Sequence, residues 1–127
     1  IHSIDIKKNL LNPYSVYIES GTKKIKVKLF EWLNYIEEIG VGELLVTNID
    51  KEGTWDGFDF ELIKKISNLM SIPVIAHGGC KNIEDIKKIF RYSNANAVAI
   101  GNMFVFQKKG MGVLVNYLTE NELEKIF

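Results

Sequence analysis

Four short apolar segments, separated by segments of helical periodicity, most strongly limit the folds that this chain can adopt. They cover residues 1–6, 43–49, 73–77 and 97–101. Their apolar residues run continuously instead of alternating with polar ones, which is typical of parallel strands that are buried on both faces. A regular succession of strands and helices favours a parallel sheet covered by helices. We therefore predict a single α/β domain over residues 1–127.

Helices are predicted between these strands, and residues suited to helix ends flank them. Apolar side chains recur at three- and four-residue steps, which places them on one helical face, in three segments: residues 28–40, 59–70 and 82–90. Asp59 and Asn82 suit the N-cap position, and Gly40 suits the position just after a helix C-terminus.

Two further elements are predicted outside this alternation. Residues 14–27 are typical of a β-hairpin, because β-branched and aromatic residues flank Ser20-Gly21, where the turn requires a positive φ angle. After the fourth strand, a short helix is expected from Asn102, and Thr119 is placed to cap a terminal helix.

The composition excludes several classes of protein. Sixteen basic and sixteen acidic residues cancel, so the net charge favours neither nucleic acid nor an anionic membrane as a partner. No apolar run approaches the roughly 18 residues of a membrane-spanning helix. The single cysteine, Cys80, cannot form an intramolecular disulfide, and a cytoplasmic protein is the default expectation. Neither metal-ligand spacing nor a P-loop motif is present, so no cofactor is expected.

Polar and glycine residues follow each predicted strand. Right-handed crossovers bring the C-terminal ends of parallel strands to one edge of the sheet. In α/β barrels that edge carries the chemistry, and the last strand–helix loops often bind a phosphate group. We therefore expect a site built from residues at these ends: Asp5, Thr47, Asp50, Glu52, Gly53, His77, Gly78, Gly79, Gly101 and Asn102.

The glycines at this edge suit an anion site. Glycine lets the backbone approach an oxyanion, and the N–H groups at a helix N-terminus attract it. Gly78-Gly79 and Gly101 follow consecutive predicted strands, which favours one shared phosphate site. The alternative is that these glycines only permit tight turns. Asp50 is similarly ambiguous, since loop aspartates often hydrogen-bond the backbone of their own loop.

Three other residues at this edge have more than one possible role. Asp5 has no adjacent helix to cap, so it is a candidate general acid or base, or else it pairs with Lys7 or Lys8. His77 could transfer protons near neutral pH, although a single histidine at the start of a loop more often orients other groups. Cys80 is interpreted as a bystander, because no histidine–carboxylate pair is apparent that would activate it.

Four segments, in this order, resemble one enzyme family over nearly all of the chain. SIDIKK, GVGELLVTNIDKEGTWDGFD, IPVIAHGGCKN and ANAVAIGNMF are similar to the C-terminal half of the cyclase subunit of imidazole glycerol phosphate synthase. The resemblance implies strands 5 to 8 of a (βα)8 barrel. It also implies that ammonia from a glutaminase subunit passes through the barrel and closes an imidazole ring, giving imidazole glycerol phosphate and an aminoimidazole carboxamide ribotide.

The resemblance also implies roles for residues of this chain. Asp5 matches one of two aspartates that act as general acid and base. The glycines at the predicted edge and Asn102 match the phosphate site of this half, with Asp50 and Glu52 in the loop beside it. Glu43 matches a charged gate residue at the opposite end of the barrel, where ammonia enters from the glutaminase.

The sequence departs from the family pattern at several positions. Lys51-Glu52 replaces the usual Arg-Asp, His77 replaces a serine, and Cys80 replaces an alanine. Gly101-Asn102 stands where a small residue and serine are common. Residues 112–126 fit better with a paralogous branch found in surface-polysaccharide gene clusters. That branch also works with a glutaminase and is thought to aminate or amidate a sugar.

The chain has about half of the roughly 250 residues that a (βα)8 barrel needs. It starts with a strand-like segment and no methionine, so we expect an N-terminal half-barrel upstream. Without that half, strand edges stay unpaired and one apolar face of the sheet is exposed. The chain is therefore expected to pair with a complementary half, to self-associate, or to be one piece of a cleaved or partly ordered chain. In isolation it is expected to lack cyclase turnover. Two alternatives stay open: another phosphate-binding barrel, such as a sugar-phosphate isomerase, and a non-catalytic half that scaffolds a glutaminase.

Overall fold

The structure, a computed structural model, describes residues 1–9, 13–106 and 110–127. The strands are β1 (His2–Lys7), β2 (Ser15–Ile18), β3 (Lys23–Lys28), β4 (Leu44–Asn48), β5 (Val74–His77) and β6 (Ala97–Ala99). The helices are α1 (Leu29–Glu38), α2 (Phe60–Leu69), α3 (Ile83–Tyr92), α4 (Asn102–Val105) and α5 (Glu120–Glu124).

The strands form one sheet in the order β3-β2-β1-β4-β5-β6. Neighbours among β1, β4, β5 and β6 are parallel, and the β2–β3 hairpin joins β1 antiparallel at one side. The parallel strands alternate with α1, α2 and α3 along the chain, so the predicted α/β fold is confirmed. Four parallel strands with their connecting helices correspond to about half of the wall of an eight-stranded barrel.

The hydrophobic core lies between one face of the sheet and the helices. Alternate strand residues point into it, including Ile4, Ile6, Leu44, Val46, Val74 and Ala76, all at most 2% exposed. The helices contribute the predicted apolar positions, among them Leu33, Ile36, Leu62, Ile63, Ile66 and Ile89. Burial of each large aliphatic side chain contributes about 1.5–3 kcal/mol relative to exposure, so this face fixes how the helices lie on the sheet.

The opposite face of the sheet is only partly covered. Ser3 is exposed, and Leu45, Ile75 and Ala97 are only partly buried. The expectation of strands buried on both faces is therefore wrong for the described residues, whereas the open sheet face expected of a half-barrel is confirmed. The physical reason is geometric, because four strands form only part of a barrel wall and do not enclose their own inner face. We call this surface the inner face.

The hairpin has the predicted turn and folds toward the end of β1. Glu19, Ser20 and Gly21 have positive φ angles of 54°, 55° and 78°. A side chain at Gly21 would overlap Ile49, and the Lys7 ammonium donates a 2.7 Å hydrogen bond to the Gly21 carbonyl. The turn is therefore held against the start of the β4–α2 loop.

The helix ends follow the predicted residues. The Asp59 carboxylate accepts a hydrogen bond of 3.2 Å from the Leu62 N–H, and the Asn82 side chain accepts one of 3.1 Å from the Asp85 N–H. Gly40 has a φ angle of +78° just after α1. These caps satisfy backbone groups that a helix end otherwise leaves unpaired.

Two positions on α2 test the assignment of its buried face. Ile66 is completely buried and Leu69 is 55% exposed. We expect Ile66→Ala to lower the free energy of unfolding by about 2–5 kcal/mol because it leaves a cavity. The matched control Leu69→Ala should change it by less than about 0.5 kcal/mol. Chemical denaturation monitored by circular dichroism measures both; equal effects of the two variants would contradict the assignment.

Candidate active site

One row of side chains crosses the inner face near the C-terminal ends of the strands. The strand register pairs Asp5 with Thr47, Thr47 with His77, and His77 with Ala99. Registered neighbours in a sheet point to the same face. Because adjacent strands lie about 4.8 Å apart, Asp5 and His77 are separated by about 10 Å across the sheet. The structure thus places the carboxylate and the glycine turn after His77 at the same edge.

Asp5 has neither of the lysine partners that would give it a purely structural role. The Lys7 ammonium donates to the Gly21 carbonyl, and the Lys8 ammonium lies 3.3 Å from Asp59 Oδ2. Asp5 itself is partly buried on β1, and no ion pair in the described residues involves it. Its carboxylate is therefore available to a molecule bound at this edge.

His77 contacts two side chains at once. Its Nδ1 atom lies 3.1 Å from the Thr47 hydroxyl oxygen, and its Nε2 atom lies 3.3 Å from Glu52 Oε2. Thr47 is buried, whereas the side chains of His77 and Glu52 are 25% and 39% exposed. The two contacts fix the imidazole ring at the boundary between the inner face and solvent.

A small pocket opens beside this histidine. Most of the predicted binding residues line it: Glu52, Gly53, His77, Gly78, Gly79, Gly101 and Asn102. Its other lining residues are Trp55, Cys80, Ala99 and Ile100. Within the described residues, the backbone N–H groups of Gly53, Gly79 and Gly101 donate to no backbone carbonyl. N–H groups that lack an internal acceptor can bind an anion.

Positions 78 and 79 also require glycine because their backbone lies close to the end of β4 and to the β4–α2 loop. Gly78 and Gly79 have φ angles of +101° and +91°. A β-carbon at Gly78 would lie 2.6 Å from the Asn48 carbonyl oxygen, and one at Gly79 would lie 2.5 Å from that of Gly57. The Gly57 N–H also donates to the Gly79 carbonyl at 2.8 Å. The tight-turn explanation is therefore sufficient for both glycines, and their phosphate-binding role stays a prediction.

Two predicted binding residues lie outside the pocket lining. Thr47 does not line the pocket but contacts His77, which does. Asp50 joins two loops, because its carboxylate accepts a 2.8 Å hydrogen bond from the Lys8 N–H, while its own N–H donates to Asn48 Oδ1 at 3.0 Å. The sequence left open a carboxylate that bonds the backbone of its own loop, but the backbone that Asp50 bonds belongs to the loop after β1.

A buried network around Asp59 was not identified from the sequence, which indicated only a helix cap. The Asp59 carboxylate accepts hydrogen bonds from Asn48 Nδ2 at 2.8 Å and from the Tyr14 hydroxyl at 3.3 Å, and it pairs with Lys8. The pKa of Lys8 is raised, chiefly by its hydrogen bond with Asp59. Burial, followed by the Asp59 charge, raises the pKa of Tyr14. The network fastens the segment after β1 to the start of α2.

Cys80 has the environment of an unreactive thiol. It is 7% exposed, and its sulfur lies 3.7 Å from Met103 Sδ. Burial, followed by the negative charge of Asp85, raises the pKa of the Cys80 thiol to about 12. This opposes the stabilisation of a thiolate near a helix N-terminus, and it agrees with the interpretation of Cys80 as a bystander.

The opposite end of the sheet carries Glu43. This exposed residue directly precedes β4, and its carbonyl accepts a 2.9 Å hydrogen bond from the His2 N–H. Its position at the N-terminal end agrees with the position of the predicted gate, whose function stays a prediction.

Neither a metal cluster nor a membrane-spanning helix occurs within residues 1–9, 13–106 and 110–127. In these ranges no group of three or more His, Cys, Asp or Glu side chains is arranged to hold a metal ion. No helix there combines the length and apolar character needed to cross a bilayer.

Together, the parallel βα units and the edge bearing a carboxylate beside an open pocket define part of an α/β barrel with a candidate anion-binding mouth. The sequence pattern of the family described as "Histidine biosynthesis protein" matches residues 1–109. The chain belongs to this family, whose members are (βα)8 barrels.

Three relatives illustrate the similarity. The chain is 39% identical over 124 residues to the putative imidazole glycerol phosphate synthase subunit hisF2 of Pseudomonas aeruginosa, covering 98% of this chain and 49% of the relative. It is 35% identical over 122 residues to imidazole glycerol phosphate synthase subunit HisF of Natranaerobius thermophilus, covering 96% and 48%. The HisF of Prosthecochloris aestuarii is 36% identical over 118 residues, covering 93% and 47%. The chain spans about half the length of these relatives.

Two glycine substitutions separate backbone conformation from loop packing. Gly40 and Gly79 both have positive φ angles, but a β-carbon at Gly40 would have nothing within 4 Å. We expect Gly40→Ala to cost about 1–2 kcal/mol of folding free energy, from the backbone conformation alone. Gly79→Ala should cost about 2–5 kcal/mol, because overlap with the neighbouring loop adds to that. Equal losses in urea denaturation would show that the close approach of the two loops is not a constraint.

Proposed function

We propose that this chain is the C-terminal half of an imidazole glycerol phosphate synthase cyclase. The complete enzyme would take ammonia from a glutaminase subunit, close the imidazole ring, and release imidazole glycerol phosphate and an aminoimidazole carboxamide ribotide. The observation that carries the proposal is the position of Asp5, which shares one face and one row with Thr47 and His77 beside the glycine-lined pocket. The names of the relatives support this assignment.

The positions of the glycine N–H groups and of Asp5 support separate roles for them. The backbone N–H groups of Gly53, Gly79 and Gly101 would bind one phosphate group of the substrate. Asp5 lies about 10 Å from His77 at the edge of the pocket, across two strand spacings, which leaves room for the organic part of a phosphorylated substrate. A carboxylate without an ion-pair partner can accept and return a proton there, which is the role of a general acid or base.

Ammonia would reach this site from the other end of the sheet. We place the glutaminase partner at the N-terminal ends of the strands, where Glu43 precedes β4. Glu43 would act as the charged gate at that entrance. The word "subunit" in the names of the relatives supports an enzyme that works with a partner chain.

The sheet needs a complementary half to form a closed site. Strand β2 pairs with β1 only from Asp5 to Lys7, and β6 is the last strand of the sheet. Part of β1, before Asp5, and the free edge of β6 therefore offer unpaired backbone in the described residues, and the inner face is partly open. We propose that an N-terminal half-barrel covers the inner face and pairs with these edges, and that self-association of the chain is the alternative.

A second candidate function is amination or amidation of a surface-polysaccharide sugar by a related synthase. One feature favours it: the sequence of residues 112–126, which fits better with that branch. In the structure, the Leu114 and Asn116 N–H groups bond the Val105 and Phe104 carbonyls, so this segment runs beside α4. Supplying the complete enzyme with ammonia and the phosphoribosyl substrate distinguishes the two functions, since only the cyclase forms an imidazole product.

The acid–base role of Asp5 is tested by Asp5→Asn in the assembled enzyme. We expect ammonia-dependent turnover to fall by about two to four orders of magnitude, because the amide cannot exchange a proton as a carboxylate does. The control Asp56→Asn removes a charge from an exposed position of the β4–α2 loop and should leave turnover unchanged. Full activity of Asp5→Asn would instead favour a non-catalytic scaffold half.

The need for a second half is tested with the 127-residue chain alone and with a co-expressed N-terminal half-barrel. We expect no cyclase turnover from the chain alone, since its four parallel strands leave the site open on one side. Co-expression should give a complex on size-exclusion chromatography with light scattering and should restore turnover. A monomer with normal turnover would refute this part of the proposal.

A further inference from the structure

His77 is held in a way that suits two protonation states. A carboxylate only accepts hydrogen bonds, whereas a threonine hydroxyl can donate or accept. The contact of Nε2 with Glu52 Oε2, at 3.3 Å, therefore requires a proton on Nε2. At Nδ1, 3.1 Å from the Thr47 hydroxyl, the neutral ring accepts from the hydroxyl and the charged ring donates to it. Rotation of one hydroxyl thus accommodates both forms without moving the ring.

The protonation state of His77 affects the net charge of the pocket. Glu52 contributes a carboxylate to the same pocket that is proposed to bind phosphate, and like charges in one site repel. Among the described lining residues, His77 is the only side chain that can become cationic. A protonated imidazole next to Glu52 would cancel the carboxylate charge and remove this repulsion.

We propose that His77 is a charge-balancing residue of the pocket, whose protonation neutralises Glu52 and allows a dianionic phosphate group to bind with uptake of a proton. This role rests on the proposed phosphate-binding function of the pocket. His77 is a positioning and specificity-determining residue in this scheme, because its charge sets how tightly a doubly charged ligand binds at a given pH.

The other titratable groups near His77 are few. The β4–α2 loop provides Glu52 and Lys51, whose β-carbon would lie 3.0 Å from a β-carbon at Gly79, and β1 provides Asp5, two strands away in the same row. The β5–α3 loop provides Cys80, whose thiol has a pKa raised to about 12 by burial and stays neutral. The neighbouring β6 residue, Ala99, has no charge.

The residue type at position 77 distinguishes this chain from the usual family pattern, which has serine there. A serine hydroxyl could contact Thr47 or a phosphate oxygen, but it cannot change its charge between pH 6 and pH 8. The affinity of this chain for a phosphate group should therefore depend on pH in a way that a His77→Ser variant does not reproduce.

The test uses sulfate, which stays a dianion between pH 6 and 8 and so reports protonation of the protein alone. Isothermal titration calorimetry on the 127-residue chain is sufficient, because every lining residue belongs to it. We expect the affinity to fall by up to about fivefold from pH 6 to pH 8, the effect of two unit charges about 4 Å apart in a water-like dielectric. His77→Ser should change less than about twofold over this range.

Two further variants make the result specific. The chain has two histidines, and His2→Ser, at the other end of β1, should keep the wild-type pH dependence. Glu52→Gln removes the repelling carboxylate, so sulfate should bind more tightly at pH 8 and with a smaller pH dependence. His77→Asn serves as the second variant if circular dichroism shows that His77→Ser does not fold.

The outcomes separate this inference from the proposed function. Sulfate binding with equal affinity at pH 6 and pH 8, or a His77→Ser variant that keeps the pH dependence, would overturn the role of His77 and leave the phosphate pocket intact. Absence of sulfate binding at every pH would overturn both the pocket and the role of His77.

Discussion

The parallel register of β1, β4, β5 and β6 is the constraint on which the site depends. It aligns Asp5, Thr47 and His77 in one row on the inner face. A shift of one residue in any strand would turn its side chains to the opposite face, where Val46 and Ala76 now pack without exposure. The cost of exposing those apolar groups and burying a carboxylate keeps the register fixed. The hydrophobic pattern of the strands therefore also determines which polar groups meet at the edge.

Two sets of contacts hold the pocket and the segment after Asp5 in place. The close approach of the β4–α2 and β5–α3 loops requires glycine at positions 78 and 79. On the other side of β4, the Asp59 carboxylate holds Lys8 and Tyr14 near Asn48. The pocket and the segment after Asp5 are thus both fastened to the β4–α2 loop. A molecule bound at the edge would meet groups whose positions are set before it arrives, which lowers the entropic cost of binding.

Much of the fold could be predicted from the sequence, because its signals are local. Apolar periodicity gave the helices, Asp59 and Asn82 marked two helix starts, and the turn around Gly21 has the expected positive φ angles. The partly open inner face was predicted from the length of the chain and not from the strand pattern, since continuous apolar strands look the same whether or not a barrel is closed around them. The bridging position of Asp50 was not predicted, because its partner, the Lys8 N–H, lies 42 residues away along the chain.

By itself, the sequence determined the order of elements, the helix caps, the glycines at the strand ends and the membership of the histidine biosynthesis family. Only the tertiary structure decided that His77 lies between Thr47 and Glu52, that Lys7 and Lys8 are engaged away from Asp5, and that burial keeps Cys80 protonated. The reason is that hydrogen bonding and charge depend on distances between side chains from different strands and loops. Those distances are fixed only when the sheet register and the loop packing are both in place.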